Sequence, residues 1–96
     1  MRLKPEQVQF IKSTIARHFG EDARIWLFGS RVDATKRGGD VDLYVEPVSI
    51  ESLFDRRLRC LTDLEMGLPF PVDLVINDGR EDRPVYRIAR GEGLPL

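Results

Sequence analysis

Residues 40–46 read Asp-Val-Asp-Leu-Tyr-Val-Glu. Apolar Val41, Leu43 and Val45 alternate with Asp40, Asp42 and Tyr44. Successive side chains of a strand point to opposite faces, so the segment is predicted as a strand with one apolar and one acidic face. Pro47, which has no N–H to give to a ladder, ends it. Asp40 and Asp42 then project from one side, about 7 Å apart at the backbone. Two anions at that spacing repel by roughly 0.5–2.5 kcal/mol between water-like and surface-like dielectric. Hydration or a cation between them offsets this. Mg²⁺ suits such a pair, because it takes oxygen ligands and commonly uses one or two carboxylates together with substrate phosphates.

Two further apolar segments flank this one. Upstream, residues 24–28, Arg-Ile-Trp-Leu-Phe, are rich in strand formers and stop at Gly29-Ser30. Glycine lets a backbone approach a phosphate, and serine adds a donor N–H and hydroxyl. The connecting segment 31–39 is polar and basic, with Arg31, Lys36 and Arg37 as candidate triphosphate contacts. Downstream, Val72-Asp73-Leu74-Val75-Ile76 repeats the pattern of an acid set into an apolar strand, and Asn77-Asp78-Gly79 closes it as a turn. An unpaired carboxylate inside a buried strand costs several kcal/mol, roughly, so Asp73 needs water or a cation as well.

Helical periodicity fills the intervals. Pro5 suits a helix start, Val8, Ile11, Ile15 and Phe19 form one face, and Gly20 ends the run. Ile50, Leu53, Phe54, Leu58, Leu61 and Leu64 form a second stripe, with Ser49 as the expected N-cap and a stop near Gly67. A short helix is expected from Pro84 to about Arg90, followed by a loose tail from about residue 91. The expected architecture is a single α/β (α+β) domain over residues 1–96, a small three-stranded mixed sheet covered by helices.

Composition narrows the function. Fifteen Lys and Arg against sixteen Asp and Glu give a net charge of −1, so direct nucleic-acid binding is not expected. The single Cys60 allows neither an intrachain disulfide nor a thiolate zinc cluster. With no long apolar run and no leader pattern, the expected location is the cytoplasm, without membrane association. His18 is expected as a helix C-terminal residue, Trp26 and Tyr86 as core, and Cys60 as a small buried residue. Arg56, Arg57 and Arg59 are read as the wet face of the second helix, with a partner contact left open, and Tyr44 as either a base contact or a cover for the sheet.

The order apolar–Gly–Ser, nine residues, Asp–apolar–Asp–apolar, then a third apolar–Asp–apolar about thirty residues on is more specific than any of its parts. The stretch LFGSRVDATKRGGDVDLYVE resembles the signature of the polymerase-β-type nucleotidyltransferase superfamily. The short length resembles its minimal nucleotidyltransferases, the antitoxin partners of HEPN-domain toxins. The likeness spans about Ile25 to Ile76. It implies the polymerase-β-like fold and a phosphate-binding pair at Gly29 and Ser30. It also implies metal-binding catalytic acids at Asp40 and Asp42, and a third at Asp73. Val32-Asp33-Ala34 stands where many members carry a further glycine, and Gly39 where many carry serine. The implied activity is two-Mg²⁺ transfer of AMP from ATP to a hydroxyl, that of a tyrosine, on a HEPN ribonuclease toxin in a hetero-oligomer. The alternative is a weakly catalytic or non-catalytic antitoxin that neutralises the toxin by complex formation.

Overall fold

A computed structural model describes residues 3–29, 40–80 and 82–96. The chain runs α1 (Pro5–Phe19), β1 (Arg24–Phe28), β2 (Val41–Glu46), α2 (Leu53–Gly67), β3 (Val72–Ile76), α3 (Pro84–Glu92) and β4 (Leu94–Pro95). The strands form one mixed sheet in the order β3-β2-β1-β4. β1 pairs antiparallel with β2, setting Ile25 opposite Val45 and Leu27 opposite Leu43. β2 and β3 are parallel, with Val41 opposite Val72 and Leu43 opposite Leu74. Parallel neighbours need a long crossover, which α2 supplies. The fold is α+β, three helices on a four-stranded sheet.

The alternation in β2 distributes the core over two faces. Val41, Leu43 and Val45 are fully buried in one cluster with Ile11, Ile15 and Phe19 of α1 and Cys60 and Leu64 of α2. The opposite face carries a smaller cluster, in which Tyr44, Tyr86 and Ala89 pack with Trp26, Phe28, Val75 and Val85. Thus α1 and α2 cover one side, and α3 covers part of the side that bears Asp42.

Three expectations are corrected. The sheet has four strands rather than three, because Leu94 and Pro95 pair with Leu27 and Trp26. The tail is therefore docked rather than loose. The Leu96 N–H donates to the Ile25 carbonyl at 2.9 Å, and the half-buried Leu96 side chain joins the main core. Leucines on either side of Pro95 can satisfy an otherwise open strand edge, which the Gly and Pro content of GEGLPL obscures. The second helix begins at Leu53, with Ser52 in the N-cap position, rather than after Ser49. Ile50, Phe54 and Leu58, expected in the second helical stripe, are exposed.

Two of the three arginines expected on the wet face of α2 are structural. Arg56 donates to the carbonyls of His18, Ser49 and Glu51 at 2.8–2.9 Å and lies over the Phe19 ring. Arg57 donates to the Leu74 carbonyl at 2.8 Å, tying α2 to β3. Arg59 stays exposed, as expected. His18 does more than favour a helix end: its Nε2 lies 2.7 Å from Asp63 Oδ2, and Arg17 reaches the same oxygen at 3.0 Å.

These contacts carry a pH signature. The His18 hydrogen bond, helped by Arg17, holds the Asp63 carboxyl below its ordinary value of 3.8. A depressed carboxyl stabilises the fold above its unfolded pKa, and that contribution is lost as pH falls through the folded pKa. Wild type is therefore expected to lose thermal stability below about pH 4 more steeply than Asp63→Asn. Melting curves at a series of acid pH values test this, and parallel curves for the two proteins would refute it. Among the described residues, no helix is long and apolar enough to cross a membrane.

Candidate active site

Register brings the acids together. Phe28 of β1 is opposite Asp42 of β2, and Asp42 is opposite Asp73 of β3. The three residues form one row across the sheet, and neighbouring strands lie about 4.8 Å apart. Asp40 immediately precedes β2, two residues from Asp42. Asp40 and Asp73 are exposed, whereas Asp42 is half-buried. Burial raises the Asp42 carboxyl pKa above its ordinary 3.8, and the negative charges of Asp73 and Asp40 raise it further. The carboxylates expected from sequence to share a site therefore do influence one another.

Gly29 completes the row at the end of β1. Its φ is +77°, in the left-handed region that favours glycine. A Cβ there would overlap Asp42 Oδ2 and lie 3.1 Å from its Cγ. The missing side chain thus makes room for the Asp42 carboxylate, in addition to any phosphate. Ser30, Arg31, Lys36 and Arg37, the other expected nucleotide contacts, lie outside the described residues.

Behind the acid row stands an aromatic wall. Tyr44, two residues on from Asp42, is fully buried. Its ring lies 5.3 Å from Trp26 and 5.3 Å from Tyr86, tilted on the first and stacked on the second. The Tyr44 hydroxyl donates to Glu46 Oε2 at 2.8 Å and accepts from Asn77 Nδ2 at 3.0 Å. Arg90 of α3 holds the same Glu46 oxygen at 3.3 Å. Burial pushes the Tyr44 phenol up to about 12, so it remains a neutral hydroxyl. Of the two readings open for Tyr44, sheet cover is the one realised. A fully buried ring is closed to a bound base.

Sequence reasoning did not find the placement of Phe28 in the acid row, nor α3 as the clamp behind it. The signal for the clamp was present in Tyr44 and Tyr86, two aromatics too large for a strictly solvated face. Cys60 is buried, and burial pushes its thiol up to about 12, which leaves no thiolate nucleophile at neutral pH. An apolar groove of about 350 Å³ lies between α1 and β1, lined by Ala16, Ile25, Trp26 and Leu96, away from the acid row.

The donor chemistry fits a hard dication: three carboxylates at one end of the sheet, with Asp73 and Asp40 both raising the Asp42 carboxyl pKa. Among the described residues, no three acidic, His or Cys side chains converge closely enough to form a preassembled metal cage. The chain matches no model of a known protein family and no curated protein.

Proposed function

We propose that this chain is a minimal nucleotidyltransferase of the polymerase-β type, an antitoxin that moves AMP from ATP to a tyrosine hydroxyl of a HEPN-domain ribonuclease toxin. The observation that carries the reading is Asp42 opposite Asp73 across β2 and β3, with Gly29 against the Asp42 carboxylate and Asp40 just before β2. The mixed sheet with helices on both faces is compatible with the polymerase-β-like fold. In this reading Asp40, Asp42 and Asp73 hold Mg²⁺, two ions in all. Bound there, Mg²⁺ would supply charge neutralisation at the triphosphate and a lowered pKa at the acceptor hydroxyl.

The remaining chemistry belongs to the chain. Asp73 sits on β3, one strand from Asp42, where it can accept the hydroxyl proton as the oxygen attacks the α-phosphorus. The new P–O bond forms as the bond to pyrophosphate breaks. Gly29 and Ser30 cradle the phosphates, and Arg31, Lys36 and Arg37 balance their charge. The aromatic wall packs the face of β2 that bears Asp42 and so helps to aim that acid.

The test uses the purified chain, its HEPN partner, ATP and Mg²⁺, read by intact mass. The expected result is addition of AMP mass to the partner, absent without Mg²⁺ and absent with Asp42→Asn. Partner neutralisation without mass gain, unchanged in Asp42→Asn, would overturn transfer in favour of neutralisation by complex formation.

A further inference from the structure

A stripe of exposed apolar side chains runs along α2. Phe54 is 74% exposed, Leu58 46% and Met66 83%, and Ile50, just before the helix, 57%. Phe54, Leu58, residue 62 and Met66 recur every four residues, one line along one face of the helix. Thr62, the polar member of that line, donates its hydroxyl to the Leu58 carbonyl at 2.9 Å, so it needs no partner across an interface. The opposite face, with Cys60 and Leu64, is the one buried in the core.

Charges of both signs border the stripe, Asp78 and Arg80 beside Ile50 and Phe54, and Asp55 and Arg59 along α2. Asp55 and Arg59 lie one turn apart on the same flank, both exposed. Arg56 and Arg57 are turned to carbonyls and are unavailable to a partner. Let a second copy of α2 lie antiparallel, with a two-fold axis at Leu58. Phe54 then lies level with Thr62 of the second copy. Each Asp55 comes within reach of Arg59 of the other copy, twice over. A flank carrying one charge of each sign a turn apart is self-complementary under this operation, as an isologous interface requires.

Size agrees with the same occupant. The exposed parts of Ile50, Phe54, Leu58 and Met66 amount to on the order of 500 Å², the size of a typical monomer's largest apolar patch, which is often a functional one. Two such patches together bury about 1,000 Å², the lower bound for a specific interface. A net charge of −1 adds little repulsion between copies.

We infer that two copies of this chain associate through antiparallel α2 helices, with Leu58 at the two-fold axis and reciprocal Asp55–Arg59 pairs on the flank. This inference does not rest on the nucleotidyltransferase reading. The test is sedimentation equilibrium of the full chain without partner or nucleotide, with circular dichroism as a control for folding. Wild type is expected at twice the 11.0 kDa chain mass at high micromolar concentration. Leu58→Asp should weaken association by about a hundredfold. Asp55→Arg should weaken it by about tenfold, and the swap Asp55→Arg with Arg59→Asp should restore it. Restoration is the result a merely sticky surface would not give. A wild-type monomer throughout, which would leave the stripe to a different protein, overturns the inference. So does a dimer indifferent to Leu58→Asp, or a charge swap that fails to restore what Asp55→Arg lost.

Discussion

Asp42→Asn is expected to make the metal-free protein more stable at neutral pH and, under the proposed function, inactive in transfer. Both effects have one cause. Asp42 is half-buried, its carboxyl raised by burial and by Asp73 and Asp40. A raised carboxyl pKa gives stability that is present below the unfolded value and lost as pH rises through the folded value. At pH 7 wild type therefore carries the full cost of this anion. Asparagine keeps the shape and one acceptor oxygen without the charge. The charge-free side chain should therefore raise Tm at neutral pH. The gain should vanish near pH 3, roughly, where Asp42 is protonated in both states.

Mg²⁺ reverses the order. A ligand bound only by the folded state raises Tm as its concentration exceeds Kd. Wild type should gain stability on addition of Mg²⁺, and Asp42→Asn should gain little. Transfer should fall by about a thousandfold or more, which corresponds to about 4 kcal/mol of barrier. Thermal melts with and without Mg²⁺, alongside the mass assay, measure all three. A destabilised Asn variant would show that Asp42 serves the fold rather than a site.

The sequence carried the frame of this site because strand alternation is a local rule. Val41, Leu43 and Val45 had to face a core, and Asp42 therefore had to face away. The alignment of Asp73 with Asp42 was not local. It depends on the register of two strands joined through α2, which nothing in either strand specifies alone. The motif order implied a shared site only by resemblance; the strand register is what sets the two acids opposite one another. The fourth strand was illegible for a similar reason, since Leu94 and Pro95 form a strand only because β1 offers an open edge. The second helix misled in the opposite direction. Ile50, Phe54 and Leu58 have the spacing of a buried stripe, and periodicity cannot tell a face that meets the core from one that meets another molecule. Arg56 and Arg57 show the same limit: a guanidinium at a half-buried helix position serves carbonyls as readily as solvent.

Gly29→Ala should cost far more than Gly79→Ala, although the two glycines have nearly the same backbone. Their φ values are +77° and +75°. An L-residue in that region costs roughly 1–2 kcal/mol, so both substitutions lose about that much. Nothing lies within 4 Å of a Cβ built at Gly79, and strain is all it pays. At Gly29 the Cβ overlaps Asp42 Oδ2, with Cγ at 3.1 Å and Cβ at 3.4 Å. Asp42 must turn or β1 must shift, which adds about 1–3 kcal/mol of overpacking. Chemical denaturation of the two variants measures the difference. The double variant Gly29→Ala with Asp42→Ala removes the oxygen that collides. It should therefore be more stable than the single costs add up to, by about 1 kcal/mol or more of coupling. In the Gly29→Ala protein the displaced carboxylate should also weaken the Mg²⁺-dependent rise in Tm, whereas Gly79→Ala should leave that rise intact. Equal stability losses at the two glycines, with no coupling to Asp42, would mean that the carboxylate does not rest against the end of β1, and the acid row would lose its third wall.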